Sequence, residues 1–363
     1  LRYSRRLVRS VPPMTWTLRI LPCALLLLSG CVLQGPRQPP LVEARWVSEA
    51  APADVPDTVA VWVTPAGDWQ LVATAKGGGR LRIHDAADGR FLRPLGSEGE
   101  GAGQFRYPNG LFVAGDLAFV VERDGARVQA IDLAGNRPLG SFGEGELHTP
   151  YGIWVWPQGE GRYRVYVTDS YYTPDRQVPP DPALGERVKL YEVTVRDDGL
   201  QATLRRAFGE TRGEGRLLRV ESILGDPAHG RLLVADEHDS QRNIKVYDLE
   251  GNYTGPVIGD GLFRFEPEGI TLASCPDDQG YVLGSDQDLR DQRILVFDRA
   301  SLTYLGAFRP GIGRMIDGIW FQPGSYGPFA QGALFTQHDD ESVMAFDWRD
   351  IATAMGLRED CGA

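Results

Sequence analysis

One pattern of strands repeats along most of the chain, and this repeat limits the fold more than any single motif does. In each unit, a glycine or an acidic turn precedes an apolar strand, a second apolar strand ends in polar residues, and a third strand runs into a turn. The six units have like positions at Trp62, Gly110, Gly152, Ser222, Gly269 and Gly318. These positions lie 42 to 49 residues apart except for one step of 70, and about 40 to 50 residues is the length of one propeller blade.

The composition agrees with a fold made of many short strands. The 363 residues include 44 glycines and 25 prolines, which favour turns over long helices. We therefore predict an all-β fold, a six-bladed β-propeller, because closing a ring of blades removes exposed sheet edges. The long step contains an insertion, residues 171–186, and only residues 348–357 have a helical pattern.

The first thirty residues have the features of an export signal. Basic residues precede an apolar segment, Ile20–Leu28, that is too short to span a bilayer comfortably. The string Leu28–Cys31 resembles a bacterial lipobox. We predict a signal peptide over residues 1–30, with Met14 as an alternative start, and lipidation of Cys31; a plain secretory signal is the alternative. Residues 31–50 are then the lipidated end and its tether, and residues 51–363 the propeller.

Charge and cysteines characterise the exported part. The net charge is −11, and it is −16 without the first thirty residues, which hold five arginines and no acid. This excludes nucleic acid as a partner. An oxidising compartment permits a disulfide between Cys275 and Cys361, with two unpaired cysteines as the alternative.

The residue after the lipidation site bears on location. Val32 is not an aspartate, so the resemblance to sorted lipoproteins implies an outer-membrane lipoprotein of the cell envelope that faces the periplasm or the exterior. We expect a monomer that meets the membrane through its lipid anchor alone.

Carboxylates recur at strand starts or strand ends in different blades. Equivalent positions in a propeller converge on one mouth of the central channel, where like charges resist joint ionisation unless cations neutralise them. Oxygen donors without a histidine or cysteine cluster favour calcium. The candidate ligands are Asp57, Glu122, Glu221, Glu237, Glu268, Asp317 and the neutral donor Gln287. The alternative is that these acids cap turns on a solvated rim.

Two known families resemble the repeats. Segments 101–110 and 139–152 resemble NHL repeats, which are typical of propellers and indicate no particular activity. Nearly all of the exported chain resembles the β-propeller phytases, calcium-dependent enzymes that remove phosphate from inositol polyphosphates. The matching segments are Asp57–Trp62, Lys76–Gly79, Val220–Ser222, Leu233–Glu237, Pro267–Ile270, Gly280–Gln287, Ile316–Ile319 and Gly327–Gly332.

The phytase resemblance implies a calcium-dependent phosphomonoester hydrolase that acts on a small-molecule phosphoester. It places Lys76 and Arg123 on the phosphate, and Glu221, Glu237 and Tyr151 in the catalytic site. Bound calcium would polarise the phosphoryl group and activate a water. Lys76 and Arg123 as ordinary surface cations, and Tyr151 as the residue that closes an NHL turn, are the alternatives.

The chain departs from the phytase pattern at four positions. Asp169 and Ser170 stand where the family has a Lys-Glu pair, and Thr58 and Trp320 each replace an aspartate. One phosphate-binding cation and two ligands are thereby lost. Two further functions therefore stay open: a non-catalytic NHL-like propeller that binds a partner or ligand, and a lactonase-like or esterase-like propeller hydrolase with one tightly held metal ion.

Overall fold

The computed structural model describes residues 38–196, 199–288 and 290–362. The predicted signal peptide, residues 1–30, and the predicted lipidation site Cys31 lie outside these ranges. Within them, none of the helices combines the length and the apolar character that crossing a membrane requires.

Strands dominate the described residues, and a single α-helix follows the last of them. The strands are β1 (Leu41–Val42), β2 (Trp46–Val47), β3 (Pro56–Val63), β4 (Trp69–Ala75), β5 (Arg80–Asp85), β6 (Phe91–Leu95), β7 (Ser97–Glu98), β8 (Gln104–Phe105), β9 (Pro108–Ala114), β10 (Leu117–Glu122), β11 (Arg127–Asp132), β12 (Arg137–Phe142), β13 (Pro150–Pro157), β14 (Arg162–Asp169), β15 (Val188–Arg196), β16 (Gly199–Phe208), β17 (Val220–Asp226), β18 (Arg231–Asp236), β19 (Asn243–Asp248), β20 (Tyr253–Ile258), β21 (Glu266–Ser274), β22 (Gly280–Gln287), β23 (Arg293–Asp298), β24 (Tyr304–Pro310), β25 (Ile319–Gln322), β26 (Ala333–His338) and β27 (Ser342–Asp347). The helix α1 spans Trp348–Met355, and short 3₁₀ helices span Asp181–Glu186, Pro227–His229, Pro276–Asp278 and Glu359–Gly362.

The strands form six blades, which confirms the predicted six-bladed β-propeller. Blades 1 to 4 are the sheets β3–β6, β9–β12, β13–β16 and β17–β20, each an antiparallel meander. Blade 5 is β21–β24 and blade 6 is built on β25–β27. The first strands β3, β9, β13, β17, β21 and β25 contact one another in a closed cycle, so they line the central channel.

The N-terminal segment of the described chain closes the ring. Strand β2 pairs antiparallel with β27, with Trp46 opposite Ala345, and supplies the fourth strand of blade 6. Strand β1 adds to blade 5 in parallel with β24. The sequence analysis assigned these residues to the tether that ends at residue 50. The structure instead includes Leu41–Val47 in the propeller sheets, and the pairing replaces an exposed edge of β27 with a hydrogen-bonded one.

Apolar side chains fill six clusters, one at each contact between neighbouring blades. Between blades 2 and 3, for example, Phe119, Val165 and Tyr191 are at most 1% exposed. The second and third strands of a blade pack against neighbours on both faces, which is why they read as nearly continuous apolar runs. Each such side chain contributes about 1.5–3 kcal/mol by leaving water, so the blades are held mainly by their mutual contacts.

The C-terminal helix and a disulfide attach the end of the chain to blades 5 and 6. Helix α1 begins after Asp347, whose side chain accepts a hydrogen bond from the Arg349 amide, and it ends at Gly356 in the left-handed conformation. This confirms the predicted helical segment. Cys361 follows it and is bonded to Cys275, 86 residues earlier in the sequence and just after β21.

We expect the Cys275–Cys361 disulfide to be a large contributor to stability. A cross-link over 86 residues removes chain entropy from the unfolded state, and the Cys361→Ser variant should lose about 2–5 kcal/mol of unfolding free energy. Urea denaturation with and without reductant measures this loss. Reductant should destabilise the wild-type protein and leave Cys361→Ser unchanged; an unaffected wild-type midpoint would contradict the prediction.

Candidate functional site

The first strands place one residue from each blade around a common ring. In blades 1 to 5 the pairing of the first two strands is interrupted by a bulge near the start of the first strand. The residue that opens the interruption faces the central cavity, and we call these residues and their blade 6 equivalent the inner ring. The inner ring is Asp57, Asn109, Tyr151, Glu221, Glu268 and Asp317. The register of the strands therefore makes Thr58 the blade 1 equivalent of Gly110. The sequence analysis had placed this blade 1 position at Trp62, which was wrong by four residues.

Small residues follow each member of the inner ring and allow the first strands to approach closely. A Cβ atom at Gly110 would lie 2.1 Å from the carbonyl oxygen of Tyr151, and one at Gly152 would lie 2.1 Å from that of Glu221. A Cβ at Gly269 would likewise lie 2.3 Å from the carbonyl oxygen of Asp317. The backbone contact between blades, rather than turn geometry, thus explains these glycines.

A second residue from each blade stands at or just after the end of the second strand. These residues form the outer ring, which is Lys76, Arg123, Ser170, Glu237, Gln287 and His338. Several of them contact the inner ring: Lys76 pairs with Asp57, and Gln287 donates a hydrogen bond to Asp317. The two rings together form the mouth of the channel, and they contain the metal-ligand, phosphate-binding and catalytic residues assigned from the sequence, except Glu122.

The acid that precedes an outer-ring residue has a structural role. The Asp169 carboxylate accepts hydrogen bonds from the amides of His148 and Thr149, just ahead of strand β13. Asp236 and Asp286 accept equivalent pairs of amide bonds ahead of β17 and β21. These carboxylates hold the loop that leads into each first strand, and so they fix where the inner ring begins.

Glu122 belongs to this structural class, and its sequence interpretation as a mouth carboxylate is corrected. Its side chain is fully buried and accepts hydrogen bonds from the Arg106 amide and the Gln129 side chain. Arg127 pairs with it, with 2.6 Å between Nε and Oε1. For Glu122, the alternative that the acid caps a turn is the correct one.

Three glutamates converge on one side of the mouth, and we call them the glutamate cluster. One carboxylate oxygen each from Glu221, Glu237 and Glu268 lies within 4.8 Å of the others. Glu237 is fully buried, and neither of its oxygens has a hydrogen-bond partner. Arg219 forms an ion pair with it, with 3.3 Å between Arg219 Nε and Glu237 Oε2, but the two groups are not hydrogen-bonded. A buried carboxylate without donors is costly.

The three carboxyl groups of the glutamate cluster resist ionisation when no cation is bound. Burial raises the pKa of Glu221 to about 8. Burial, followed by repulsion from Glu221, raises the pKa of Glu237 well above its ordinary value, and the same two causes act on Glu268. Three close carboxyl groups, one of which, Glu237, lacks hydrogen-bond donors, fit a hard cation, which would neutralise them and favour their charged forms.

Lys76 lies on the opposite side of the mouth among three carboxylates. Its Nζ is 3.1 Å from Asp57, 3.7 Å from Asp317 and 3.7 Å from Asp340. Burial alone would lower the pKa of Lys76, but the three acids raise it above its ordinary value. Lys76 is thus charged and partly buried within the mouth, with 13% of its side chain exposed, and it is not an ordinary surface cation.

Arg123 and Tyr151 occupy the sector between blades 2 and 3. The Arg123 guanidinium lies 3.6 Å from the centre of the Tyr107 ring and pairs with Asp124 at 2.8 Å. Its Nη1 donates to the Tyr151 hydroxyl at 3.5 Å. Burial, and then the charge of Glu221, raise the pKa of Tyr151, so its hydroxyl is protonated at neutral pH.

Sequence reasoning missed three charged residues at the mouth. Arg219 pairs with Glu237 and, at 2.6 Å, with Glu266. Asp340 pairs with Lys76, whereas its neighbour Asp339 pairs with Arg314 instead. Arg219 and Glu266 stand next to or near inner-ring positions in the sequence, which is the only signal that would have identified them.

The four departures from the phytase pattern have structural explanations. The Asp169 carboxylate is held by the Lys189 ammonium at 2.6 Å, and the Ser170 hydroxyl accepts from the Val220 amide at 3.2 Å. The Thr58 amide donates to Thr74 in the neighbouring strand. Trp320 lines the channel and contacts the Phe112 ring edge-on at 5.3 Å. None of the four supplies a cation to the mouth.

Comparison with known proteins supports the fold but identifies neither a family nor an activity. No protein-family model matches the chain, and no curated protein matches its sequence. Among solved structures, one chain of a nidogen/laminin complex aligns with a TM-score of 0.50 and 16% identity, over 76% of this chain and 88% of that one. At this identity the likeness shows the β-propeller fold alone.

We expect Gly152→Ala to disturb the inner ring. The added Cβ would lie 2.1 Å from the Glu221 carbonyl oxygen, so β13 and β17 must separate at a cost of about 1–3 kcal/mol. Gly185→Ala is the control, because its nearest atom would be 3.6 Å away. Urea denaturation compares the two; equal stabilities would show that the strands are not in close contact at Gly152.

The raised pKa of Glu221 predicts a pH-dependent stability in calcium-free protein. Between pH 4.5 and about 8 the folded state retains a proton that the unfolded chain has released, so stability falls as pH rises, by at most about 1.4 kcal/mol per unit for one group. Calorimetry in chelator from pH 5 to 8 should show this fall, and Glu221→Gln should make it shallower. Identical slopes for both proteins would refute the assignment.

Proposed function

We propose that the protein is a calcium-dependent phosphomonoester hydrolase of the phytase type. The observation that carries the proposal is the glutamate cluster, in which the buried Glu237 carboxylate has no hydrogen-bond donor. Lys76 and Arg123, the two cations that the phytase resemblance assigns to phosphate, reach the same mouth. Cation ligands and phosphate donors within one cavity are what phosphoryl chemistry needs.

The donor set favours calcium over other metals. Glu221, Glu237 and Glu268 offer only carboxylate oxygens, which suit hard cations. Gln287 of blade 5 and Asp317, just ahead of the first strand of blade 6, are hydrogen-bonded to each other, so they extend the same oxygen-lined surface. Calcium bound there would polarise the phosphoryl oxygens and lower the pKa of a bound water.

The protein residues prepare this site and orient the phosphate. Glu221, with its pKa near 8, gives up its proton when a cation binds, so cation binding and proton release are coupled. The Arg123 guanidinium is held by the Tyr107 ring and the Tyr151 hydroxyl, and its Nε and Nη2 face Asp124, so a phosphate would replace Asp124 on this planar fork. Lys76 adds a point charge on the opposite side.

A second candidate is a lactonase-like or esterase-like hydrolase with one metal ion. It is favoured by the compactness of the glutamate cluster, because three carboxylates within 4.8 Å surround a single ion. Among the described residues, the other group with suitable atoms contains the disulfide-bonded Cys275 and Cys361. The number of calcium ions bound separates the two candidates.

We also propose that the protein is exported to the cell envelope and anchored through a lipid on Cys31. The disulfide between Cys275 and Cys361 supports an oxidising compartment. The anchor itself rests on the lipobox-like sequence before Cys31. Mass spectrometry of the membrane fraction, with Cys31→Ala as the comparison, would detect the acyl groups.

The decisive assay measures phosphate release from phytate and from a simple phosphomonoester, with calcium and with chelator. Release should require calcium. Glu237→Gln should lower the rate of phosphate release by at least about 100-fold. Glutamine has nearly the shape of glutamate but lacks the negative charge that would bind the cation. Glu160→Gln is the matched control, since the Glu160 side chain is 87% exposed in a turn between β13 and β14.

Calcium titration by calorimetry complements the assay. Several ions together with calcium-dependent release support the phytase-type reaction. One ion together with lactone hydrolysis supports the second candidate. Folded protein that hydrolyses neither substrate class is a binding propeller, and release that survives both chelator and Glu237→Gln would exclude the metal site.

A further inference from the structure

Among the described residues, Arg219 is the cation that forms an ion pair with the glutamate cluster. Its Nε lies 3.3 Å from Glu237 Oε2, and its Nη1 donates to Glu266 Oε1 at 2.6 Å. Glu237 belongs to the cluster, whereas Glu266 lies outside it at the start of β21. The Arg219 guanidinium therefore lies between the proposed cation site and the first strand of blade 5.

Hydrogen bonds fix the backbone from which this side chain extends. The Arg219 amide donates to the Asp236 carboxylate, and its carbonyl oxygen accepts from the Glu237 amide at 2.9 Å. The preceding segment is held by Arg187, which is fully buried and donates to the Leu218 carbonyl oxygen at 2.6 Å. Because the backbone is already ordered, less entropy is lost when the guanidinium binds a ligand.

The acidic partners of Arg219 use only part of its guanidinium. An arginine side chain carries five N–H donors in one planar fork. The bond from Nη1 to Glu266 is the only hydrogen bond of this guanidinium within the described part of the chain. The side chain is 34% exposed, so the remaining donors can be reached from the open mouth.

In the absence of a metal ion, Arg219 is the internal counter-ion of the cluster. Burial alone would lower the pKa of Arg219, but the charges of Glu237, Glu221 and Glu266 raise it. One positive charge then faces the close carboxyl groups of the cluster, and it neutralises them only in part. A metal ion that binds the cluster has to compete with this charge.

A calcium ion held by Glu237 would share that carboxylate with Arg219. Two positive charges on one carboxylate repel each other, and an anion that contacts both of them removes the repulsion. A phosphate group suits this place, because one oxygen can face a metal ion while others accept from the guanidinium fork. Glu266 keeps the guanidinium at the cluster through its hydrogen bond with Nη1.

We propose that Arg219 is a phosphate-binding residue, and that its guanidinium and the calcium ion of the glutamate cluster hold the substrate phosphate between them. This inference rests on the proposed function and adds a residue to its phosphate site. Glu266 is the positioning residue for Arg219. The same charge that opposes calcium binding thus favours phosphate binding.

The test measures calcium and phosphonate binding separately in Arg219→Gln. Calorimetry gives the Kd for calcium alone, and then the Kd for methylphosphonate, a non-hydrolysable probe, at calcium concentrations that saturate each protein. Arg219→Gln should bind calcium about 5-fold or more tightly, because a competing charge is removed. It should bind methylphosphonate about 10- to 100-fold more weakly, because charge-assisted hydrogen bonds are lost.

Two further variants separate the role of the charge from that of the fold. Arg219→Lys keeps the charge and loses the planar fork, so it should bind calcium like the wild type and recover part of the methylphosphonate affinity. Arg212→Gln is the matched control. Arg212 is exposed in the same loop between β16 and β17, so its replacement should change neither Kd.

Opposite shifts of the two affinities distinguish phosphate binding from a structural role. Weaker phosphonate binding together with calcium binding that is unchanged or tighter supports the inference. It is overturned if Arg219→Gln weakens both, if the methylphosphonate Kd does not change, or if methylphosphonate does not bind the wild type.

Phosphate release is assayed independently of binding, so that the two proposals fail separately. Phosphonate binding that depends on Arg219, in protein that hydrolyses no phosphomonoester, supports the inference and overturns the proposed function. Calcium-dependent phosphate release with the same KM in wild type and Arg219→Gln overturns the inference and leaves the proposed function.

Discussion

The close contact of six first strands around one axis is the constraint on which the rest of the structure depends. Gly110, Gly152 and Gly269 allow the backbone of one blade to touch the carbonyl oxygens of the next. Because the ring is this tight, the residue before each glycine faces a narrow cavity with its equivalents. Side chains from distant parts of the sequence, such as Glu221 and Glu268, are thereby forced within a few ångströms of each other. The carboxylates of the mouth therefore repel one another because the close packing of the backbone brings them together.

Neighbouring residues at the end of a second strand have opposite roles. Asp236 accepts two amide hydrogen bonds and holds the loop ahead of β17, whereas Glu237, the next residue, accepts no hydrogen bond and has only the ion pair with Arg219. Asp286 and Gln287 differ in the same way: Asp286 accepts hydrogen bonds from a loop, whereas Gln287 contacts the inner ring. Strand alternation explains this difference, because successive side chains point to opposite faces of a strand. The scaffold satisfies its structural carboxylates with protein hydrogen-bond donors, and it gives the Glu237 carboxylate none.

The mouth has two kinds of surface. Blades 1, 4, 5 and 6 contribute acids, and their repulsion is only partly offset by Lys76 and Arg219. Blade 3 contributes aromatic and neutral groups, together with the insertion that Arg187 fixes in place.

The spacing of the repeats predicted the six blades and the position of the insertion. The local pattern of residues predicted the helical segment that became α1. Both signals can be seen in the sequence because hydrophobic periodicity and turn residues act locally. The matching motifs also identified most of the mouth, since equivalent blade positions converge in any propeller. Only the tertiary structure showed that β2 completes blade 6, because its partner β27 lies some 300 residues away and a two-residue strand carries no pattern of its own. Only the tertiary structure also showed that Arg219 and Asp340 belong to the mouth, because they reach it through ion pairs with distant side chains. It likewise showed that Glu122 has a structural role, since this residue is buried against Arg127. Sequence specifies which residues recur, but which carboxylates find donors depends on long-range packing.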